Sequence, residues 1–138
     1  MVDTGRVRAL LDRLGDEVGH LRRAAERPRE ELARDDDMLA AIKYRFIVAI
    51  EICIDVAEHI IASEGLRAPE TFADAFRSLT ESGMLPTDQA EALQAMAGFR
   101  NLLVHGYTPV DDERVVEILQ TKLADFDHFR TAVARALT

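Results

Sequence analysis

The sequence predicts an all-α fold, a helical bundle of four longer helices and one short helix. Apolar residues recur at steps of three and four along nearly the whole chain, which is the period of a helix with one buried face. No stretch alternates apolar and polar residues for long enough to predict a strand. The chain has 138 residues, 48% of them hydrophobic, and one cysteine. Its size and composition therefore predict a single domain over residues 1–138 that needs no disulfide.

The first two predicted helices are long. Asp3 or Thr4 can cap the first and Pro28 ends it, with one inward stripe: Val7, Leu11, Leu14, Val18, Leu21 and Ala25. The second begins at the acidic run 35–37 and ends at Gly65. It is apolar around most of its circumference, which predicts a central position in the bundle or a contact with another subunit.

The three remaining helices are separated by proline and glycine residues. A short helix follows Pro69, and the next helix has Thr87 as its predicted cap and Gly106 as its predicted stop. The last helix begins at Asp111. The inward positions predicted for these helices include Phe72, Phe76, Leu93, Phe99, Leu102, Leu119, Lys122 and Phe126.

The charge and apolar patterns limit the classes of partner and compartment. The formal net charge is −8, which disfavours general binding to nucleic acid because phosphates repel such a chain. The most apolar segment, 46–62, is interrupted by charged residues, which predicts a core helix and no membrane contact. A single cysteine and the lack of a secretory signal pattern predict a cytoplasmic protein.

The negative charge is absent from one window of the sequence. No acidic residue lies between Glu91 and Asp111, and the only full charge there is that of Arg100. Within the window, His105 follows Arg100 by five positions, and Tyr107 follows two later. Such a gap in a highly charged chain is typical of either a functional site or a buried seam.

Arg100 and His105 suit phosphodiester chemistry. An imidazole can take up or return a proton near neutral pH, and a guanidinium can bind phosphate through two parallel hydrogen bonds. Together they fit attack of a ribose hydroxyl on its own phosphodiester, which needs no metal or cofactor, with Asn101 orienting the phosphate or the imidazole. On a continuous helix the two side chains would lie about 140° apart, so the helix must end near His105 for them to share a site.

A purely structural explanation of the same residues stays open. Arg100 would then be a surface residue, His105 a favourable residue in the last helical turn, and Tyr107 a packing residue. A polar line on the second helix is also open to two explanations. It contains Glu51, Asp55 and His59 at successive steps of four, and it either faces solvent or brings Asp55 to Arg100 across the bundle.

The window 98–107 resembles a known signature. Its string RNLLVHGY, residues 100–107, is similar to the Arg, polar residue, spacer, His pattern of the HEPN superfamily, and Tyr107 makes it similar to the HepT branch. The resemblance extends along the chain through the long FIVAIEICIDVAEHIIA helix, the short FADAF helix and the VDDERVVEIL segment.

The resemblance to HepT-like toxins implies a function, partners and site residues. Such proteins are components of two-gene toxin–antitoxin systems of the HepT/MntA type, form homodimers whose two motifs face one cleft, and cut RNA without a metal. Their partner is an MntA-like nucleotidyltransferase antitoxin that attaches AMP to the motif tyrosine. The resemblance implies that Arg100 and His105 are catalytic and that Tyr107 accepts AMP. It also implies an acidic residue near the site on the long helix. A non-enzymatic helical partner of a nucleotidyltransferase is the alternative.

Overall fold

The structure, a computed structural model, describes residues 1–105 and 111–138. Within these ranges the chain forms helices joined by turns and contains no strand. The helices, in chain order, are α1 (Thr4–Ala25), α2 (Arg29–Ala33), α3 (Asp36–Glu64), α4 (Phe72–Glu81), α5 (Thr87–Val104), α6 (Asp112–Thr121) and α7 (Ala124–Ala136). The predicted all-α class is confirmed.

Helix α3 is the centre of the bundle. It packs against α1, α2, α4 and α5, and every residue of its predicted inward stripe is buried: Leu39, Ile42, Phe46, Ala49, Cys53, Val56 and Ile60. The Phe46 ring contacts those of Phe99 in α5 and Phe126 in α7, at centroid distances of 5.3 and 6.4 Å. The central position follows from the wide apolar surface of α3, which only neighbours on several sides can cover.

The helix ends follow the predicted capping chemistry at several positions. The carboxylates of Asp3 and Asp35 accept hydrogen bonds from the backbone N–H groups of Arg6 and Met38, each at 3.0 Å. Gly65 ends α3 in the left-handed conformation, with φ of 63°, where a side chain would be strained. The two carboxylates satisfy N–H groups that the helices cannot pair internally.

The structure has two more helices in its described ranges than the sequence predicts. The five-residue helix α2 is too short to show a period, although its Leu32 is buried. The predicted last helix is divided at Lys122, which ends α6, and Leu123 is buried instead. A continuous helix would place the Lys122 ammonium inward, whereas the break leaves Lys122 exposed and avoids the cost of burying its charge.

Three smaller expectations about α4 and α5 are wrong. Thr87 is the first residue of α5 and not its cap, because Pro86 already has the extended conformation that precedes a helix. Phe72 and Leu102 are 40% and 50% exposed, although we expect both to face inward. Each lies in a terminal turn of its helix, on a side that faces away from the core; Leu103, the next residue after Leu102, is buried.

None of the helices in the described ranges has both the length and the apolar composition needed to cross a bilayer.

Candidate functional site

The carboxyl end of α5 brings three of the predicted site residues together. Helix α5 ends at Val104, and His105 is its cap residue, with a backbone N–H that donates to the Asn101 carbonyl at 3.3 Å. Asn101 and His105 are four residues apart and so lie on one face of the helix end. Both line an open cleft of about 440 Å³, whose other lining residues are Glu58, Pro69, Glu70, Thr71 and Phe72.

Arg100 borders this cleft and is held from three directions. Its Nη2 and Nε atoms donate to Oε1 of Glu51 in α3, at 2.8 and 3.2 Å. Its Nη1 atom donates to Oδ1 of Asn101 at 3.1 Å, and its guanidinium carbon lies 5.0 Å from the centroid of the Phe72 ring. A guanidinium has five N–H groups, so these three bonds leave two, as far as residues 1–105 and 111–138 are concerned, with which it can bind a phosphate.

Glu51, and not Asp55, is the acidic partner of Arg100. The two carboxylates are one turn apart on α3, and Asp55 is exposed without forming that pair. Partial burial, followed by the negative charge of Glu51, raises the pKa of Asp55. The sequence places both residues on one polar line but does not fix the register of α3 along α5. Because the two carboxylates lie on the same face one turn apart, that register decides which of them contacts Arg100.

Asn101 is hydrogen-bonded to Arg100. We expect its amide to orient a phosphate or the His105 imidazole, and its Oδ1 atom accepts from Nη1 of Arg100. It therefore orients the guanidinium directly. The third polar residue of the α3 line, His59, accepts a hydrogen bond at Nε2 from the backbone N–H of Asp3 at 3.1 Å. This bond fixes α1 to α3 and gives His59 a structural role.

Two features of the site cannot be recognised along the sequence. Phe72 is predicted to face the core, but its exposed ring forms part of the cleft wall. The window around Arg100 has no acidic residue, yet folding brings Glu51, Glu58 and Glu70 to the site from other segments. The surroundings of Arg100 are therefore acidic in space, which weakens their attraction for a phosphate chain.

The AMP acceptor, the helix stop and any metal site remain to be located. Tyr107, the predicted AMP acceptor, and Gly106, the predicted helix stop, lie outside the described residues. In residues 1–105 and 111–138, no three His, Cys, Asp or Glu side chains are grouped so that they could hold a metal ion.

The chain matches a known family of proteins over most of its length. The family model described as "Ribonuclease HepT-like" matches residues 14–133. The chain belongs to the HepT-like family, and the predicted resemblance is confirmed.

A curated relative matches over part of its length. The mRNA nuclease HepT of Shewanella oneidensis is 34% identical to this chain over 79 residues, which are 57% of this chain and 59% of that protein. The chain thus aligns with about three fifths of the relative's length.

Two solved structures share the fold. The tri-AMPylated HEPN toxin of Shewanella oneidensis, solved in complex with MNT antitoxin, has a TM-score of 0.87 and 22% identity, covering 98% of this chain and 99% of that one. The protein YutE of Bacillus subtilis, described as a cytosolic protein of unknown function, has a TM-score of 0.85 and 15% identity, covering 99% and 91%. These likenesses extend the shared fold over nearly the whole chain.

Proposed function

We propose that this protein is the toxin of a type VII, HepT/MntA-like toxin–antitoxin system and acts as a metal-independent endoribonuclease. The observation that carries the proposal is the cleft where α5 ends: His105 lines it, and two of its other lining residues, Phe72 and Asn101, contact Arg100. Membership of the HepT-like family supports it, and so does the name of the Shewanella relative, an mRNA nuclease.

The proposed reaction is transfer of the phosphodiester within the RNA. The ribose 2′-hydroxyl attacks the adjacent phosphorus, the bond to the 5′ oxygen of the next nucleotide breaks, and a 2′,3′-cyclic phosphate and a 5′-hydroxyl form. One imidazole takes the proton from the 2′-hydroxyl, and a second returns a proton to the departing oxygen. The two remaining N–H groups of Arg100 stabilise the charge that develops on the phosphoryl oxygens.

The need for two imidazoles favours a homodimer with both His105 side chains at one cleft. Within the segment from Arg100 to His105, the side chains of Leu102 and Val104 are 50% and 45% exposed. A second copy of the chain would cover these apolar side chains and add its own Arg100 to a cleft that is acidic in one subunit. The RNA would then be bound locally, as the net charge of −8 requires.

An MntA-like nucleotidyltransferase is the proposed antitoxin, and Tyr107 the proposed acceptor of AMP. The solved toxin that shares this fold is AMPylated and bound to an antitoxin. An adenylyl group two residues from His105 would place negative charge and bulk where an RNA phosphate has to bind. We propose that this modification, and the function itself, belong to the cytoplasm, where the lone thiol of Cys53 stays reduced.

The choice of acceptor is tested with the only two tyrosines of the chain. We expect co-expression with an MntA-like nucleotidyltransferase to add the mass of AMP to the wild-type chain and to Tyr44→Phe, but not to Tyr107→Phe. Intact-protein mass spectrometry measures this directly. Growth should stop when Tyr107→Phe is expressed with the partner, since the toxin then stays active. Addition of AMP to Tyr107→Phe but not to Tyr44→Phe would contradict the assignment.

Expression of the chain without the partner separates the enzyme from the alternative, a non-enzymatic helical partner that only binds the nucleotidyltransferase. The alternative predicts a stable complex and modification of Tyr107, but neither growth arrest nor RNA cleavage when the chain is expressed alone. Arrest and fragmented cellular RNA in cells that lack the partner would exclude it.

The contact between Glu51 and Arg100 makes a separate prediction. In Glu51→Ala the guanidinium loses its ion pair. We expect kcat to fall about 2- to 5-fold, because the Glu51 side chain is 45% exposed and such a pair contributes modestly. KM for RNA should not rise, since a carboxylate that repels phosphate is also removed. Asp55→Ala, one turn away, is the matched control and should change kcat less than 2-fold. A larger loss in Asp55→Ala than in Glu51→Ala would reject the positioning role of Glu51.

A further inference from the structure

Phe72 is an aromatic side chain in an unusual position. It is the first residue of α4 and is 40% exposed, whereas Ala75, Phe76 and Leu79 of the same helix are fully buried. Leaving an aromatic ring in water forgoes the free energy of its burial. The ring also lines the same cleft as Asn101 and His105, so it lies beside the proposed reaction centre.

The ring is stacked on one side by a cation. The guanidinium carbon of Arg100 lies 5.0 Å from its centroid, which is the range of a cation–π contact. Planar nucleobases bind proteins by stacking on aromatic rings and on arginine planes. Arg100 and Phe72 together form a surface of this type, with the catalytic cation at one end of it.

The backbone that carries Phe72 is held rigidly. Oγ1 of Thr71 accepts from the Asp74 N–H at 3.0 Å, and the Asp74 carboxylate accepts from Nη1 and Nη2 of Arg67 at 2.7 and 3.0 Å. The hydrogen bonds from Arg67 hold the pKa of Asp74 at about 2, so this clamp persists throughout the neutral range. Because the backbone at Phe72 is ordered before binding, little conformational entropy is lost when a base stacks on the ring.

The charges of the cleft favour contact with a base of the RNA over contact with its phosphate backbone. Glu58 and Glu70 line it, and both repel phosphates. A neutral base can be bound there by stacking, which depends little on charge.

We propose that Phe72 stacks against an unpaired nucleobase next to the scissile phosphate and so selects single-stranded RNA. This inference rests on the proposed function. Stacking of a base on an aromatic ring contributes roughly 5- to 150-fold in affinity.

Binding is tested in the His105→Ala background, with a fluorescent single-stranded RNA 12-mer of random sequence. We expect the added change Phe72→Leu to weaken binding about 5-fold or more and Phe72→Trp to retain it. Tyr44→Leu removes an exposed aromatic ring outside the cleft and should have no effect. Circular dichroism and the melting temperature check that each variant is folded. Binding by Phe72→Leu within 2-fold of its parent overturns the proposal.

A second measurement separates base stacking from an effect on Arg100. A 12-mer of the same backbone with abasic sugars has nothing to stack, so Phe72 and Phe72→Leu should bind it equally. If Phe72→Leu weakens binding of the abasic strand as much as that of the normal strand, the ring acts only by positioning Arg100 and the proposal is wrong.

Cleavage assays distinguish failure of this inference from failure of the proposed function. If the wild-type protein cuts RNA and Phe72→Leu cuts it equally well, the proposal that Phe72 stacks on a base is wrong, and the proposed nuclease function is kept. If the wild-type protein cuts no RNA, the nuclease fails, and the binding measurements still decide the role of Phe72.

Discussion

Replacing His105 with alanine is expected to slow RNA cleavage about 10²- to 10⁴-fold, the contribution usual for a positioned acid or base. The loss should be large because a dimer with both imidazoles removed has neither a group to take the 2′-hydroxyl proton nor one to return a proton to the leaving oxygen. The measurement is the cleavage rate of a labelled RNA by the purified protein. Expression of the variant should no longer inhibit growth.

Matched variants make this result interpretable. His128→Ala removes another exposed histidine, in α7 and outside the cleft, and should cut RNA like the wild-type protein. Arg100→Lys keeps the positive charge but loses the planar fork that binds Glu51 and a phosphate together, so we expect a loss of about 10²-fold. Cleavage by His105→Ala within 3-fold of wild type, with the fold intact, would mean that His105 is not the acid or base.

Phe46→Ala is expected to have the largest effect on stability, lowering the free energy of unfolding by about 3–5 kcal/mol. The Phe46 side chain is completely buried and contacts Phe99 and Phe126. Its removal therefore leaves a cavity where α3, α5 and α7 meet. Urea denaturation at one fixed protein concentration measures the loss, since dimer formation would otherwise shift the result.

The same substitution should also affect the site. Phe99 precedes Arg100 in the sequence, so a loosened Phe46–Phe99 contact allows the end of α5 to move relative to Glu51. Tyr44→Ala, on the same helix but exposed, should change the unfolding free energy by no more than about 0.5 kcal/mol. If Phe46→Ala costs less than about 1 kcal/mol, the aromatic cluster is not the centre of the core.

The sequence by itself determined the helical class and the residues of the motif. Helical periodicity is a local property, so the buried stripes of α1 and α3 and the caps at Asp3, Asp35 and Gly65 could be predicted without a fold. The prediction of helices from the sequence was wrong where local signals are weak or conflict. Five residues of α2 are too few to show a period, and Lys122 sits at an inward position that a charged group avoids by ending the helix.

Tertiary structure alone decided which side chains surround Arg100. Glu51 and Asp55 lie one turn apart on the same face of α3, and only the register of α3 along α5 selects Glu51. Phe72 has the pattern of a core residue, and its place at the start of α4 is what exposes it to the cleft. The window around Arg100 lacks acidic residues, yet Glu51, Glu58 and Glu70 reach the site from other segments. Electrostatic fields depend on distance in space, so the charge around a site cannot be inferred from its own segment.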